Sequence, residues 1–237
     1  MSPLPGNWRG NRVLASLGSA DSSMLGQHLR PVILNARQCL ETANRRIETV
    51  FFPHSGILSV VARSSNHRHQ AEIGLVGHEG MTGLSIVLDA EAPPCSTVVQ
   101  VEGHGVALSA EALRGFLQRS CSLRLALLRY VHLFAVQTAH TALANARGTV
   151  EQRLARWLLM AHDRLPGNDL QLTHEFLAVV LGVRRAGITI ALHRLQSDGL
   201  ISAARGSIGI LDRRGLELSA DGFYGAPERE FERVLAP

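Results

Sequence analysis

The segment that most constrains the fold is residues 172–211, which read LTHEFLAVVLGVRRAGITIALHRLQSDGLISAARGSIGIL. Thr173 is a typical N-cap residue for a short helix, and Gly182 marks a tight turn after it. A second amphipathic helix follows from about Arg184 to Ser197. Two β-rich segments then flank Arg205-Gly206. Helix, glycine turn, helix and hairpin predict a winged helix-turn-helix.

The second helix of this motif carries residue types that bind DNA. An arginine in its first turn can form a bidentate contact with guanine, and either Arg184 or Arg185 could be the main base reader. Polar residues further along can hold phosphates, and a wing arginine can reach the backbone or the minor groove. The predicted DNA-binding residues on this reasoning are Thr173, Arg184, Arg185, Thr189, His193 and Arg205. Helix-turn-helix pairs also mediate protein contacts, so an interaction module that has lost sequence-specific DNA binding is the alternative.

Residues 47 to about 108 have a different amino-acid composition. Short β-branched segments alternate there with Gly, Pro, Asn and His, which predicts a small barrel or sandwich. The predicted strands are Ile47–Phe52, Gly56–Ala62, Glu72–Val76 and Thr97–Val101.

Residues 110–147 are nearly free of glycine and predict a long helix with two apolar stripes. One stripe repeats in alternating steps of four and three, which is the spacing of a helix-pairing seam. Its predicted dimer-interface residues are Leu125, Leu128, His132, Ala135, Ala139 and Ala142. The bulky stripe is predicted to pack on the β-domain and comprises Leu123, Leu127, Tyr130 and Phe134. A helix buried within a monomer is the alternative to the dimer.

Composition limits the class of protein. The 237 residues are 46% hydrophobic and 19% charged, which is ordinary for a globular chain. No apolar run approaches the roughly 20 residues of a membrane span, and no signal-peptide core is present, so we expect a cytoplasmic protein without membrane contact. All 24 basic residues other than histidine are arginine, and the net charge is +4. Codon bias explains an all-arginine chain as well as DNA binding does, so this charge permits nucleic acid without requiring it.

The side chains indicate neither catalysis nor a metal. Three cysteines without a C-x-x-C pair argue against a disulfide framework, a thiolate zinc site and a four-thiolate cluster. His67, His69, His78 and Glu79 would form a metal site only if the fold gathered them, and loop histidines are more often solvated. No nucleophile elbow, H-E-x-x-H or phosphate-binding loop occurs. We therefore expect a non-enzyme with no cofactor.

The order of β-rich domain, long helix and winged helix-turn-helix resembles the Crp/Fnr family of bacterial transcription regulators. The most specific match is LTHEFLAVVLGVRR…LHRLQSDGLI, supported by IETVFFPHSGILSVVA and EIGLVGHEGMTGLSIVL. The resemblance implies an α+β protein with an N-terminal double-stranded β-helix (a jelly-roll, cyclic-nucleotide-binding-like domain) over residues 1–118. It further implies a dimerisation helix over 119–146 and a winged helix-turn-helix domain over 147–237. The resemblance also implies a homodimer that binds two-fold symmetric double-stranded DNA and contacts RNA polymerase. An effector of unidentified chemistry would control it.

Departures from the family pattern change two expectations. Gly80-Met81 stands where cyclic-nucleotide-binding members have Gly-Glu, and Cys95-Ser96 stands where they have Arg-Ser. A cyclic phosphate would lose its charge partner, so cyclic AMP is not expected, and these four residues are only candidate effector-binding positions. In the recognition helix, Ala186 and Ile190 replace a Glu and an Arg. They can meet only thymine methyls, so the target sequence should differ from the family's best-known half-site.

Overall fold

The computed structural model describes residues 10–66, 68–204 and 206–235. By packing, the chain forms two compact units. Of the described residues, unit 1 contains 10–60, 75–135 and 231–235, and unit 2 contains the rest, within Val61–Gly74 and Val136–Glu230. The three functional segments predicted above remain a prediction, since packing divides the chain at other places.

Two sheets make up the β-rich part of the chain and confirm the predicted β-sheet domain. The strands are β1 (Arg30–Leu34), β2 (Cys39–Glu41), β3 (Thr49–Pro53), β4 (Ile57–Arg63), β5 (Gln70–Val76), β6 (Ser96–Val101) and β7 (Gly103–Ser109). One sheet has the order β1-β7-β3, and the other has the order β2-β6-β4-β5. In the first sheet, Phe52 and Pro31 both lie opposite Val106 on β7. The sequence does not predict β1, β2 or β7.

Several helices precede, interrupt or follow these strands between residues 12 and 147. They are α1 (Arg12–Ala15), α2 (Ser19–Gly26), α3 (Leu84–Val87), α4 (Ala110–Arg119) and α5 (Cys121–Arg147). The Ser109 side chain accepts from the Ala112 N–H and so caps α4. The chain breaks at Ser120 before α5 begins, so the helix-forming region 110–147 contains two helices. The second of them, α5, covers nearly the same residues as the helix expected over 119–146.

The bulky stripe of α5 packs as predicted. Leu123, Leu127 and Tyr130 are buried in the first core cluster of unit 1, together with Phe52. Phe134 belongs to a second cluster, whose other buried members are Leu34, Leu58, Val76 and Val99. Burying a large apolar side chain contributes about 1.5–3 kcal/mol, so this stripe is a major source of stability for unit 1.

Unit 2 contains the winged helix-turn-helix. Its elements are α6 (Val150–His162), β8 (Asp169–Leu170), α7 (His174–Leu181), α8 (Arg185–Ser197), β9 (Ile201–Ala204), β10 (Ser207–Ile210), α9 (Arg213–Ser219) and α10 (Ala226–Leu235), which ends in unit 1. The three short strands form a sheet in the order β8-β10-β9. Thr149 and Gln152 form a reciprocal capping box at the start of α6. The sequence does not predict β8 or α9.

No single helix in the described part of the chain is long and apolar enough to cross a membrane. The bent pair of α7 and α8 reaches the required length and apolarity only when both helices are counted together.

Candidate nucleic-acid interface

The turn between α7 and α8 has the geometry of a helix-turn-helix. The two helices are bent by 108°, within the range of roughly 90–120° typical of this motif. Gly182 ends α7 with φ of +62°, a left-handed conformation that glycine adopts without strain. At the other end of α7, the Thr173 hydroxyl accepts from the Phe176 N–H at 3.2 Å. Thr173, a predicted DNA contact, is exposed and has this capping role.

One face of α8 is buried and the other is open. The buried residues are Ile188, Ala191, Leu192 and Leu195, and α6 and α7 pack against this helix. The exposed residues are the predicted reading residues Arg184, Arg185, Ala186, Thr189, Ile190 and His193. The helical period places positions 185, 186, 189, 190 and 193 side by side. The sequence therefore predicts the buried face of this helix correctly, and DNA contact by the exposed face remains a prediction.

The start of α8 presents two arginines to solvent. Arg184 is the N-cap residue and Arg185 is the first helical residue, so the helix begins one residue later than predicted. Both side chains are exposed, and neither has a hydrogen bond or ion pair with the rest of the described chain. Both guanidiniums can therefore take a bidentate anionic or guanine partner without breaking a contact inside the protein.

Further along α8, two polar side chains contact neighbouring helices. Thr189 Oγ1 donates to the Arg185 carbonyl at 3.2 Å and lies 3.2 Å from His174 Nδ1. Arg194 Nη1 lies 3.4 Å from Glu151 Oε2 on α6. Thr189 is thus in contact with α7, and Arg194 is in contact with α6.

The wing is the hairpin of β9 and β10. Gly206 has φ of +80°, which lets the chain reverse there. Ile208 pairs with both Ala203 and Leu170, so the wing is anchored to β8. Arg205, the predicted wing contact, lies outside the described residues.

A polar network that the sequence does not reveal ties α6 to α9. Arg213 Nη2 donates to Asp163 Oδ1 at 2.7 Å and to the Tyr224 hydroxyl at 2.6 Å. The Tyr224 hydroxyl in turn donates to Asp163 Oδ2 at 2.7 Å. Burial, followed by this hydrogen bond to Asp163, raises the pKa of Tyr224 above its usual value. At neutral pH the hydroxyl is protonated and can donate, and the network connects α9 to the end of α6, the helix that packs against α8.

A second contact that the sequence does not reveal involves Trp157 of α6. Trp157 Nε1 donates to Glu72 Oε1 at 2.7 Å, and both residues are buried. The Trp157 ring also meets Phe176 of α7 edge-to-face, with centroids 5.4 Å apart. Trp157 thus joins the hairpin segment 61–74 and the helix-turn-helix within unit 2.

The four candidate effector-binding residues lie in unit 1, mostly in packed positions. Met81 is fully buried in the first core cluster, and Gly80 lies so close to Tyr130 that an added Cβ would overlap its hydroxyl. Ser96 Oγ accepts from the Ala43 N–H at 3.1 Å. Cys95 is half-buried, and burial raises the pKa of its thiol. Effector binding by these residues remains a prediction.

A buried carboxylate connects the two segments that carry these residues. Glu41 Oε1 accepts from the Gly83 N–H at 2.8 Å, and Glu41 Oε2 accepts from the Thr97 hydroxyl at 2.6 Å. Burial raises the pKa of Glu41, and the hydrogen bonds from Thr97 and Gly83 oppose this rise. The sequence gives no sign of Glu41, since its partners lie 42 and 56 residues away.

The predicted dimer seam of α5 is open in the single chain. Leu125 is 53% exposed, and Leu128 is half-buried. The remaining seam residues are exposed and comprise His132, Ala135, Ala139 and Ala142. Whether a second chain covers this face stays a prediction.

Of the histidines weighed for a metal, His67 lies outside the described residues, and the described part contains no cluster of three potential metal ligands.

Comparison with known proteins identifies the helix-turn-helix region and the fold. Residues 152–218 match the Crp-like helix-turn-helix domain family. No curated protein matches the sequence significantly.

Several solved structures are similar over most of the chain. A putative Crp/Fnr-family transcriptional regulator from Eubacterium rectale is 20% identical, with a TM-score of 0.69, over 90% of this chain and 100% of its own. FixK2 from Bradyrhizobium japonicum is 14% identical, with a TM-score of 0.69, over 80% of this chain and 96% of its own. The c-di-GMP-responsive global regulator CLP from Xanthomonas campestris is 20% identical, with a TM-score of 0.64, over 81% of this chain and 99% of its own. The chain therefore carries a Crp-like helix-turn-helix domain within the fold of the Crp/Fnr-family transcriptional regulators.

Proposed function

We propose that this protein is a sequence-specific, double-stranded DNA-binding transcription regulator that acts as a homodimer on a two-fold symmetric site. The observation that carries the proposal is the open face of α8. The buried side of α8 packs against α6 and α7. On the other side, Arg184, Arg185 and their exposed neighbours form a continuous surface at the helix N-terminus. In helix-turn-helix proteins this end of the second helix enters the major groove.

The chemistry of this face sets the expected target. Arg185 supplies a fork that can bind guanine O6 and N7, worth about 1–3 kcal/mol of discrimination. Ala186 and Ile190 are apolar, and Ile190 is 58% exposed. Exposed apolar side chains in the major groove contact thymine methyl groups. The half-site should therefore combine a guanine with nearby A·T pairs.

Dimerisation is supported by the open seam of α5. Small side chains at Ala135, Ala139 and Ala142 allow two helices to approach closely, and Leu125 and Leu128 supply apolar contact. A two-fold dimer places its recognition helices on successive turns of the same DNA face, about 34–36 Å apart. We also propose that the protein acts in the cytoplasm and that RNA polymerase is a further partner, as the resemblance to the Crp/Fnr regulators implies.

The β-sheet domain is proposed to carry regulation by an effector of unidentified chemistry. CLP, which shares the fold, is described as c-di-GMP-responsive. Cyclic AMP remains disfavoured here because Cys95-Ser96 offers no arginine to a phosphate. An effector would act by shifting the relative pose of the two recognition helices.

Selection of fragmented genomic DNA by the purified, ligand-free protein tests the proposal. We expect an enriched two-fold symmetric motif that disappears in the Arg184→Ala/Arg185→Ala variant. A matched control is Arg214→Ala, which removes an exposed arginine from α9. Failure to enrich a motif, both alone and with cell extract, would instead favour a protein-interaction module that has lost DNA reading.

Single substitutions separate base reading from backbone contact. Arg185→Ala should lower affinity for the selected site far more than for random DNA, by about 1–3 kcal/mol per half-site. Arg205→Ala should weaken both to a similar extent, since a wing contact to the backbone carries no sequence information. Titrations over a range of salt concentrations measure both effects. Equal losses on the two DNAs for Arg185→Ala would contradict its assignment as base reader.

A further inference from the structure

The last turn of α10 is a fixed part of unit 1. Phe231 and Leu235 are buried in the first core cluster. The Phe231 ring meets Tyr130 edge-to-face, with centroids 6.3 Å apart. Glu232 Oε1 lies 2.9 Å from Arg12 Nη1. Apolar burial and the ring contact hold this turn beside α5, and the ion pair connects it to α1.

A groove of about 600 Å³ lies between α5 and this turn. It is lined by Leu125, Leu128, Arg129, His132, Arg233 and Val234. Leu125, Leu128 and His132 are also members of the predicted dimer seam. The groove and the N-terminal half of the seam are therefore one surface, and α10 forms one of its walls.

The spacing of the seam indicates what covers this surface. Its residues recur in steps of three and four from Leu125 to Ala142, which is the period of a helix packed nearly parallel to another. Such helices lie about 8–10 Å apart, close enough for side chains beside the seam to touch the second helix. A second copy of α5 has the same spacing, and two-fold symmetry places the same patch of each chain against the other.

We propose that the α5 helix of a second copy lies against α10 as well as against α5, so that Arg233 and Val234 form part of the dimer interface. This inference rests on the homodimer proposed above and adds the C-terminal helix to it. The Val234 side chain is half-buried by its own chain and would become buried when the second copy enters the groove.

Sedimentation velocity over a range of protein concentrations tests the inference with three variants. Val234→Ala removes two methyl groups from each copy and should weaken the dimer about tenfold or more. Val179→Ala makes the same change on the exposed side of α7, outside the groove, and should leave the dimer unchanged. Leu125→Glu places a charge in the seam and should yield monomers.

Amide hydrogen exchange of the wild-type protein gives a second readout that needs no substitution. Exchange in segments 125–132 and 231–235 should slow together as the concentration rises through the dimerisation range. Two results would overturn the role of α10 while leaving the proposed dimer intact. In the first, Leu125→Glu is monomeric but Val234→Ala dimerises as the wild type does. In the second, exchange at 231–235 does not change with concentration. If Leu125→Glu remains dimeric, the α5 dimer itself fails, and this inference fails with it.

Discussion

Replacement of Glu41 tests whether its carboxylate joins the two segments predicted to hold an effector. In Glu41→Ala, the Gly83 N–H and the Thr97 hydroxyl lose their acceptors in a buried site. A buried donor left without a partner costs about 1–3 kcal/mol, so the loss of both predicts a decrease of about 2–6 kcal/mol in the free energy of unfolding. Gly83 has φ of +81° at the start of α3, which limits how far its N–H can turn toward another acceptor.

Glu41→Gln is the matched control because it keeps the shape of the side chain. Its carbonyl oxygen can accept from the Gly83 N–H, and its amide can donate to the Thr97 hydroxyl, which both donates and accepts. We therefore expect a change of less than about 1 kcal/mol at neutral pH. The variants thus separate the hydrogen bonds from the charge.

The pH dependence of stability tests the state of the carboxyl. Burial raises the pKa of Glu41 in the folded chain above its ordinary value of 4.5. A raised pKa means that this group contributes stability at pH values below 4.5, and that the contribution is lost as pH rises through the folded-state pKa. The stability of Glu41→Gln relative to wild type should therefore increase with pH across that interval.

Urea unfolding followed by circular dichroism from pH 4 to 7, with calorimetry to detect separate transitions, measures these differences. The reasoning fails if Glu41→Ala is within about 0.5 kcal/mol of wild type, well under the cost of even one orphaned donor. It also fails if Glu41→Gln is as unstable as Glu41→Ala, or if its pH dependence matches that of the wild type.

Two further substitutions test packing in the two units. Gly80→Ala should destabilise unit 1 by about 1–3 kcal/mol, because its Cβ would lie 2.7 Å from Tyr130 Cζ; Gly18→Ala, with nothing within 4 Å of the new Cβ, is the control, and equal effects in thermal unfolding would contradict the clash. Trp157→Phe should cost about 1.5–3 kcal/mol, because the buried Glu72 carboxylate loses its indole donor; a neutral result in urea unfolding would show that this hydrogen bond does not support unit 2.

The parts of the fold that the sequence predicts are those with local signals. The face of α8 follows from helical period alone, since Ile188, Leu192 and Leu195 recur at helical spacing and are buried. The cap at Thr173 likewise depends on a residue only three positions away.

The elements that the sequence misses have weak local signals. β1 contains Pro31, β2 is three residues long, and β7 begins at Gly103. Each of these strands is defined by its partner in the sheet, as β1 and β7 are by each other. The buried polar contacts follow the same logic. Asp163 and Tyr224 are 61 residues apart, and no pattern in the chain indicates that they meet.

The two faces of α8 also explain why a shared fold does not fix the DNA target. The inward residues must fill the space against α6 and α7, so the fold constrains them tightly. The outward residues, from Arg185 to His193, contact solvent and contribute little to that packing. They can change while the fold is kept, as the apolar Ala186 and Ile190 illustrate. Solved structures at 14–20% identity therefore establish the fold, and the proposed base preference has to be measured on DNA.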